Sequence, residues 1–174
     1  IESYGSGEPV TTYTGLEPRL KARYKINKKS SLKASYTRTN QYIHLVSNSG
    51  TTLPTDVWVP STKNVKPERA NQYAAGYFRN FNDNTFETSL QVYYRNMDNQ
   101  IEYDNGYQPE LYRQLERDFV YGWSESFGTE LYIKKRKGDF TGWISYTLSK
   151  TTRFFDDLRT EVFPSKYDRR HDLS

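Results

Sequence analysis

Asp168, Arg169, Arg170 and His171 form an unbroken run that places a carboxylate, two guanidinium groups and an imidazole side by side, the groups of general acid–base chemistry. Such chemistry also needs a positioned nucleophile and a group that orients the base. The sequence supplies no such set, so no catalytic residue is assigned and an enzyme is not expected. His44 and His171 are the only histidines and cysteine is absent, so a zinc site would have to borrow carboxylates from distant segments. Asp98, Asp104 and the pair Asp156-Asp157 carry the hard oxygen ligands that calcium takes, but without the ordered spacing of a calcium loop, and solvated loop charge is the favoured reading. Gly5-Ser6-Gly7 is followed by no Lys-Ser/Thr and lies in no strand-to-helix context, so it is not a phosphate loop. Neither a metal nor a cofactor is expected.

Aromatic residues among polar neighbours are the stronger signal. Tyr42, His44 and Trp58 fall in one polar stretch, Tyr103, Tyr107 and Tyr112 in a second, and Phe154, Phe155 and Phe163 in a third. Large rigid rings with a few polar groups give contact area and orientation to a bound ligand. Each ring taken alone is expected to pack within its own loop, and only the collection supports ligand binding.

The elements that position these stretches follow from composition and period. The 174 residues are only 34% hydrophobic, yet include 16 Tyr, 9 Phe and 3 Trp, a β-leaning composition too aromatic for a disordered chain. The absence of cysteine removes disulfides and thiol nucleophiles without fixing a compartment. A formal charge of +4 is a mild excess, and the tightest basic cluster, Lys134 to Lys137, adjoins the turn signal Gly138-Asp139, so nucleic acid is not expected as a partner. No run approaches the roughly 18 apolar residues of a membrane helix, and no signal peptide opens the chain. Spanning by strands remains open, because its signature is about ten alternating residues between turns. The chain opens at Ile1 and stops at Ser174 as another alternating run starts, so it is expected to be a piece of something longer.

From Leu16 to Ile26, Leu16, Pro18, Leu20, Ala22, Tyr24 and Ile26 alternate with charged residues, a period that no helix produces. Asn27 to Ser30 reads as a turn, and Leu32, Ala34 and Tyr36 return the apolar face, giving a hairpin over about residues 16–39. A second hairpin is expected over about 71–95 and a third over about 124–149. Long loops are expected over about 40–70, 96–123 and 150–170, with a short helix over Pro109–Val120 as a minor alternative within the second. His171 to Ser174 reads as the start of a seventh strand. Connections thus run short, long, short, long, short, long. A transmembrane β-barrel has that asymmetry, with tight periplasmic turns and long extracellular loops. A soluble sandwich has no reason to keep it. The polar faces suit a wet lumen, and Tyr24, Tyr36, Tyr73, Tyr77, Tyr94 and Tyr146 on the apolar face suit a membrane boundary, where the ring stays apolar and the hydroxyl meets water. Cross-strand pairing in a soluble sheet is the competing reading for any single one of them.

Leu16-Glu17-Pro18-Arg19-Leu20, Ser31-Leu32-Lys33-Ala34-Ser35-Tyr36, Val65-Lys66-Pro67-Glu68, Gly128-Thr129-Glu130-Leu131, Gly142 to Ser149, and Tyr167-Asp168-Arg169-Arg170-His171-Asp172-Leu173 occur in this order. The ordered set resembles the barrel of TonB-dependent outer-membrane receptors, particularly those of Bacteroidetes. The resemblance implies an all-β fold, an antiparallel transmembrane β-barrel of roughly 22 strands, of which this chain would hold about six in one barrel domain. It implies an N-terminal plug and a TonB-contacting segment, neither of which is in this sequence, and a location in the outer membrane of a Gram-negative bacterium. In that family the Asp168–His171 run leads from a loop into a strand, where ion pairing at the rim is its expected role. The implied partners are outer-membrane lipid, TonB through the plug, a surface lipoprotein, and a small-molecule, glycan or peptide ligand.

The leading functional expectation is therefore an outer-membrane receptor that captures a ligand with its extracellular loops and imports it to the periplasm. The alternative is a receptor-like barrel that serves as a structural or assembly component without transport. A soluble β-sandwich adhesion module is a third reading.

Overall fold

The computed structural model describes residues 11–46, 57–103, 119–156, 158, 161–166 and 168–174. Ten strands follow in chain order: β1 (Arg19–Lys25), β2 (Ser30–Gln41), β3 (Ile43–Val46), β4 (Val57–Pro60), β5 (Glu68–Phe81), β6 (Phe86–Tyr103), β7 (Phe119–Lys135), β8 (Gly142–Phe155), β9 (Phe163–Pro164) and β10 (His171–Leu173). No helix occurs among the described residues. The main sheet runs in the order β1-β2-β5-β6-β7-β8-β10, with β9 paired to β8, and β3 and β4 form a separate two-stranded sheet. Each of these pairings is antiparallel. The fold is an all-β meander of the kind a β-barrel is built from, and the sheet does not close on itself.

Local chemistry explains the tight turns. Between β1 and β2, Ile26 N donates to Ser30 O at 3.1 Å, and Asn27 Oδ1 accepts the Lys29 amide at 2.8 Å. Between β5 and β6, Asn82, Asp83 and Asn84 adopt φ of 47°, 48° and 63°, a left-handed geometry that short polar side chains tolerate best after glycine. Gly138, at φ 101° between β7 and β8, occupies a conformation that a Cβ strongly disfavours. The turns also brace one another: Lys29 Nζ lies 3.5 Å from Asp83 Oδ1, and Lys137 Nζ donates to Asp83 O at 2.9 Å.

Register gathers the apolar residues of six strands onto one face. Tyr24, Leu32, Tyr77, Leu90, Leu131 and Tyr146 form one transverse row, and Ala22, Ala34, Ala75, Val92, Thr129 and Leu148 form the next. Leu20, Tyr36, Tyr73, Tyr94 and Phe127 form a third. Tyr73, Leu90 and Phe127 are each about half exposed, at 50%, 49% and 50%, so among the described residues no protein layer covers this band. The row beyond the aromatic one, Arg38, Asn71, Asn96, Glu125 and Thr152, is polar. Tyr36 Oη donates to Asn71 Oδ1 at 3.0 Å and Tyr94 Oη to Glu125 Oε1 at 2.7 Å, so rings stay with the apolar band while hydroxyls reach the polar row. The other face carries rows such as Lys33, Gly76, Gln91, Glu130 and Thr147, with Lys33 Nζ 3.8 Å above the Phe78 ring.

The strands run further than alternation alone indicates. β6 has 18 residues and β7 has 17, whereas about 9–11 tilted residues cross a bilayer. The stretch 96–123, read from sequence as a loop, is therefore strand at both ends, and Val120, the end of the short helix considered there, lies in β7; residues 109–118 lie outside the described residues. Likewise β8 continues to Phe155 and β9 pairs with it within 150–170, and the β3–β4 hairpin occupies part of 40–70. The buried core sits here, beyond the apolar band: Val46, Val59 and Val65 pack with Ile101, Tyr103 and Phe119. Polar sequence in these stretches hid strands that bury one another's apolar side chains.

Candidate functional site

A register shift in β6 builds the site. Pairing with β7 slips between Met97 and Gln100, and Asn99 takes φ 59° while its Nδ2 donates to Pro67 O at 2.9 Å. One extra residue reverses the alternation. Before the bulge Tyr93, Arg95 and Met97 share the face opposite the apolar band; after it Gln100 and Glu102 do, across from Gly122 and Val120. β8 places Arg153 and Phe155 on that same face, opposite Ser124 and Gly122.

These side chains meet at the rim that carries the long connections. Arg153 Nη1 pairs with Glu102, its Nη2 donates to Gln100 Oε1 at 3.2 Å, and its guanidinium carbon lies 4.8 Å from the Phe155 ring centroid. Lys166 Nζ approaches Glu102 Oε1 at 3.4 Å. Phe155 is fully buried, and the absent side chain of Gly122 makes room for it: a Cβ there would stand 2.7 Å from the Phe155 ring and would strike the Phe154 carbonyl. Glu68 lies at the start of β5, beyond the apolar stretch Tyr73–Tyr77. Burial raises its carboxyl above the ordinary value, opposed by the hydrogen bond with Gln100 and the charges of Arg95 and Arg153. Three cations and two carboxylates thus cluster where bulk water is partly excluded, with donors and acceptors both present. The set suits recognition of a polar ligand and holds no nucleophile poised for covalent chemistry.

The residues expected from sequence to bind a ligand are divided by the fold. Tyr42 and Trp58 are exposed, Trp58 at 65%, and Trp58 pairs across β3–β4 with the exposed Leu45. His44, on the other face of that hairpin, is buried with Nε2 3.2 Å from Ser61 Oγ, and burial lowers its pKa. Tyr103 is 4% exposed and packs edge-on against Phe119 at 5.6 Å. Phe154 is half-buried beside Trp123 at 5.6 Å, and Phe155 stacks toward Phe163 at 6.2 Å. Tyr107 and Tyr112 lie outside the described residues. Phe155 therefore joins the Arg153 cluster, whereas His44 and Trp58 belong to a separate hairpin and Tyr42 lies between β2 and that hairpin.

Sequence reading missed Glu68, Gln100, Glu102 and Arg153. Their alternation was present, but the bulge at Asp98-Asn99 changes which residues share a face, and no local signal marks it beyond an Asp-Asn pair inside a polar run. The Asp168–His171 run is tied to the strands around it: Asp168 Oδ1 accepts the Thr151 amide at 2.7 Å, Arg170 Nη2 lies 3.7 Å from Asp168 Oδ2, and His171 Nδ1 lies 2.7 Å from Tyr146 Oη. Among the described residues no group of three or more His, Asp or Glu is placed to hold a metal ion.

No curated protein and no solved structure matches the chain. The family model described as TonB dependent receptor-like, beta-barrel matches residues 2–169. With nearly the whole length matched, and with one apolar and one polar face on a long antiparallel meander, the chain belongs to the TonB-dependent receptor β-barrel family.

Proposed function

We propose that this chain is part of an outer-membrane receptor of a Gram-negative bacterium, of the Bacteroidetes type, that binds a ligand at its extracellular rim and imports it to the periplasm. The observation that carries the reading is the two-faced sheet of a family member: an uncovered apolar band bounded by a tyrosine row on one side, and a polar wall on the other. In lipid every backbone group must be paired, so the meander closes with further strands into a barrel of roughly 22, with the polar wall inward. The rim bearing the long connections then faces outward from the cell. Ligand contacts come from Tyr42, Trp58 and Phe154, from Tyr107 and Tyr112, and from the Arg153 cluster on the inner wall; Tyr103, Phe155 and His44 support them by packing. The ligand is a small molecule, glycan or peptide with polar groups of both signs. TonB acts through a plug domain, and a surface lipoprotein closes over the rim.

Deletion of the gene in its native host tests this, with uptake measured for a panel of haem, siderophore, cobalamin, oligosaccharide and peptide substrates. Loss of uptake of one substrate class, reproduced by a protonophore that removes energy coupling, is expected. An unchanged panel, with the protein present in the outer membrane, would contradict transport and favour a structural role.

A further inference from the structure

We infer that the bilayer-facing surface just beyond the tyrosine row carries a binding cleft for the phosphate of a lipid headgroup, formed by Arg38, Asn40, Lys66 and Arg69. Alternate residues of a strand share a face, so Arg38 and Asn40 follow Tyr36 on the outer face of β2, and Asn71 and Arg69 precede Tyr73 on the outer face of β5. At roughly 3.4 Å per residue, Arg38 stands about 7 Å beyond the aromatic row along the strand and Asn40 about 14 Å. Headgroups occupy that level when the tyrosine row marks the edge of the hydrocarbon.

A cavity of about 310 Å³ opens there, lined by Arg38, Asn40, Lys66 and Arg69 among others, and no carboxylate lines it. Two of its lining residues carry unsatisfied donors: Arg38 Nε and Asn40 Nδ2 are buried and have no hydrogen-bond partner. Among the described residues, no ion pair engages Arg38, Lys66 or Arg69. Asp98 lies across the ladder from Arg69 without an ion pair to it, and Glu17 is committed to the Asn40 amide at 2.8 Å and to Arg19. Buried donors left without acceptors are costly and uncommon, and a tetrahedral oxyanion supplies acceptors to guanidinium, ammonium and amide donors together. Placement commits the anion to a lipid: the cleft opens on the face that continues the apolar band, away from the inner wall where a transported ligand passes.

The inference rests on the membrane reading, and the test separates the two. Full-length receptor in detergent is titrated with dioleoyl phosphatidic acid or dioleoyl phosphatidylcholine, and retained lipid is counted by native mass spectrometry. Phosphatidic acid is expected to bind about tenfold more tightly than phosphatidylcholine, and that preference is expected to vanish in Arg38→Gln/Arg69→Gln and in the milder pair Lys66→Gln/Arg69→Gln, both of whose side chains are exposed. Lys21→Gln/Arg23→Gln, on the opposite face, should retain it. Equal binding of both lipids by the unaltered receptor, or an undiminished preference in the Lys66/Arg69 variant, would overturn the cleft while leaving the barrel intact. Displacement of phosphatidic acid by 5 mM inorganic phosphate would overturn the headgroup assignment in favour of a soluble oxyanion. A receptor that stays monodisperse without detergent would overturn the membrane reading, and the cleft with it.

Discussion

Tyr36 and Tyr73 face each other across the β2–β5 ladder with ring centroids 5.0 Å apart, and the Tyr36 hydroxyl donates to Asn71 one row further along. The pair marks where the apolar band ends and the polar rim begins. Tyr94 repeats the geometry with Glu125, so the boundary is a row and not a single contact.

A charge placed within this band is expected to destabilise in proportion to depth. Leu90→Arg, in the row of Tyr77 and Leu131, should cost about 2–4 kcal/mol, as for arginine on the lipid face of a barrel. Gln91→Arg, one residue on and facing the inner wall, should cost under about 1 kcal/mol. Unfolding from lipid vesicles by denaturant measures both, and equal losses would mean the two faces are equivalent.

Gly122 leaves room for Phe155 and for the backbone of β8. Gly122→Ala forces a Cβ against a carbonyl that cannot rotate away, and overpacking of this kind typically costs about 1–3 kcal/mol. Equilibrium unfolding of the variant checks this. Gly142→Ala, where a Cβ meets nothing within 4 Å, should lose only a few tenths of that.

Arg153 is held by Glu102 with both side chains mostly buried, at 14% and 20% exposure. Glu102→Ala leaves Arg153 without its carboxylate and Lys166 without its near neighbour, and removing one partner of a buried pair costs about 3 kcal/mol, less here because some water reaches both. Hydrogen exchange at Gly122 to Ser124 and at Arg153 to Phe155 should rise at least tenfold. Unchanged protection would show that the cluster is held by packing alone.

His44 gives the β3–β4 hairpin a pH dependence. Burial depresses its folded-state pKa below the ordinary 6.5, so the unfolded chain binds the proton more readily. The stabilisation is full above about 6.5 and is lost as pH falls from there through the depressed value. Amide exchange in β3–β4 should therefore quicken on acidification from pH 7 to 5, and His44→Leu should remove that response. A hairpin whose exchange, corrected for intrinsic rate, is constant over this range would contradict it.

The two-faced part of the sheet was legible because its faces differ sharply. Leu20, Ala22 and Tyr24 alternate with Lys21, Arg23 and Lys25 because one face of the sheet is apolar and the other polar, and Asn82-Asp83-Asn84 marks its turn by residue type. Beyond the band that contrast disappears. Ile101, Tyr103 and Phe119 pack against Val46, Val59 and Val65, an association between segments far apart in sequence that no local period reveals. The Arg153 cluster was hidden twice, by the bulge at Asp98-Asn99 and by dependence on three strands. Among the loop aromatics, type alone did not distinguish exposed Trp58 from buried Tyr103, because both sit in polar stretches and only tertiary packing separates them.

The 174 residues hold no cysteine, so labels introduced here report on this segment alone once any cysteine elsewhere in the full-length receptor is replaced. Single cysteines introduced at each position from Phe86 to Met97 of β6 in the full-length receptor, spin-labelled and reconstituted in vesicles, report collisions with oxygen in lipid and with a nickel chelate in water. A transmembrane barrel predicts strict alternation, with Leu90, Val92 and Tyr94 favouring oxygen and Ser89, Gln91, Tyr93 and Arg95 favouring nickel. Uniform nickel accessibility, or uniform protection from both reagents, would contradict a strand that separates lipid from water.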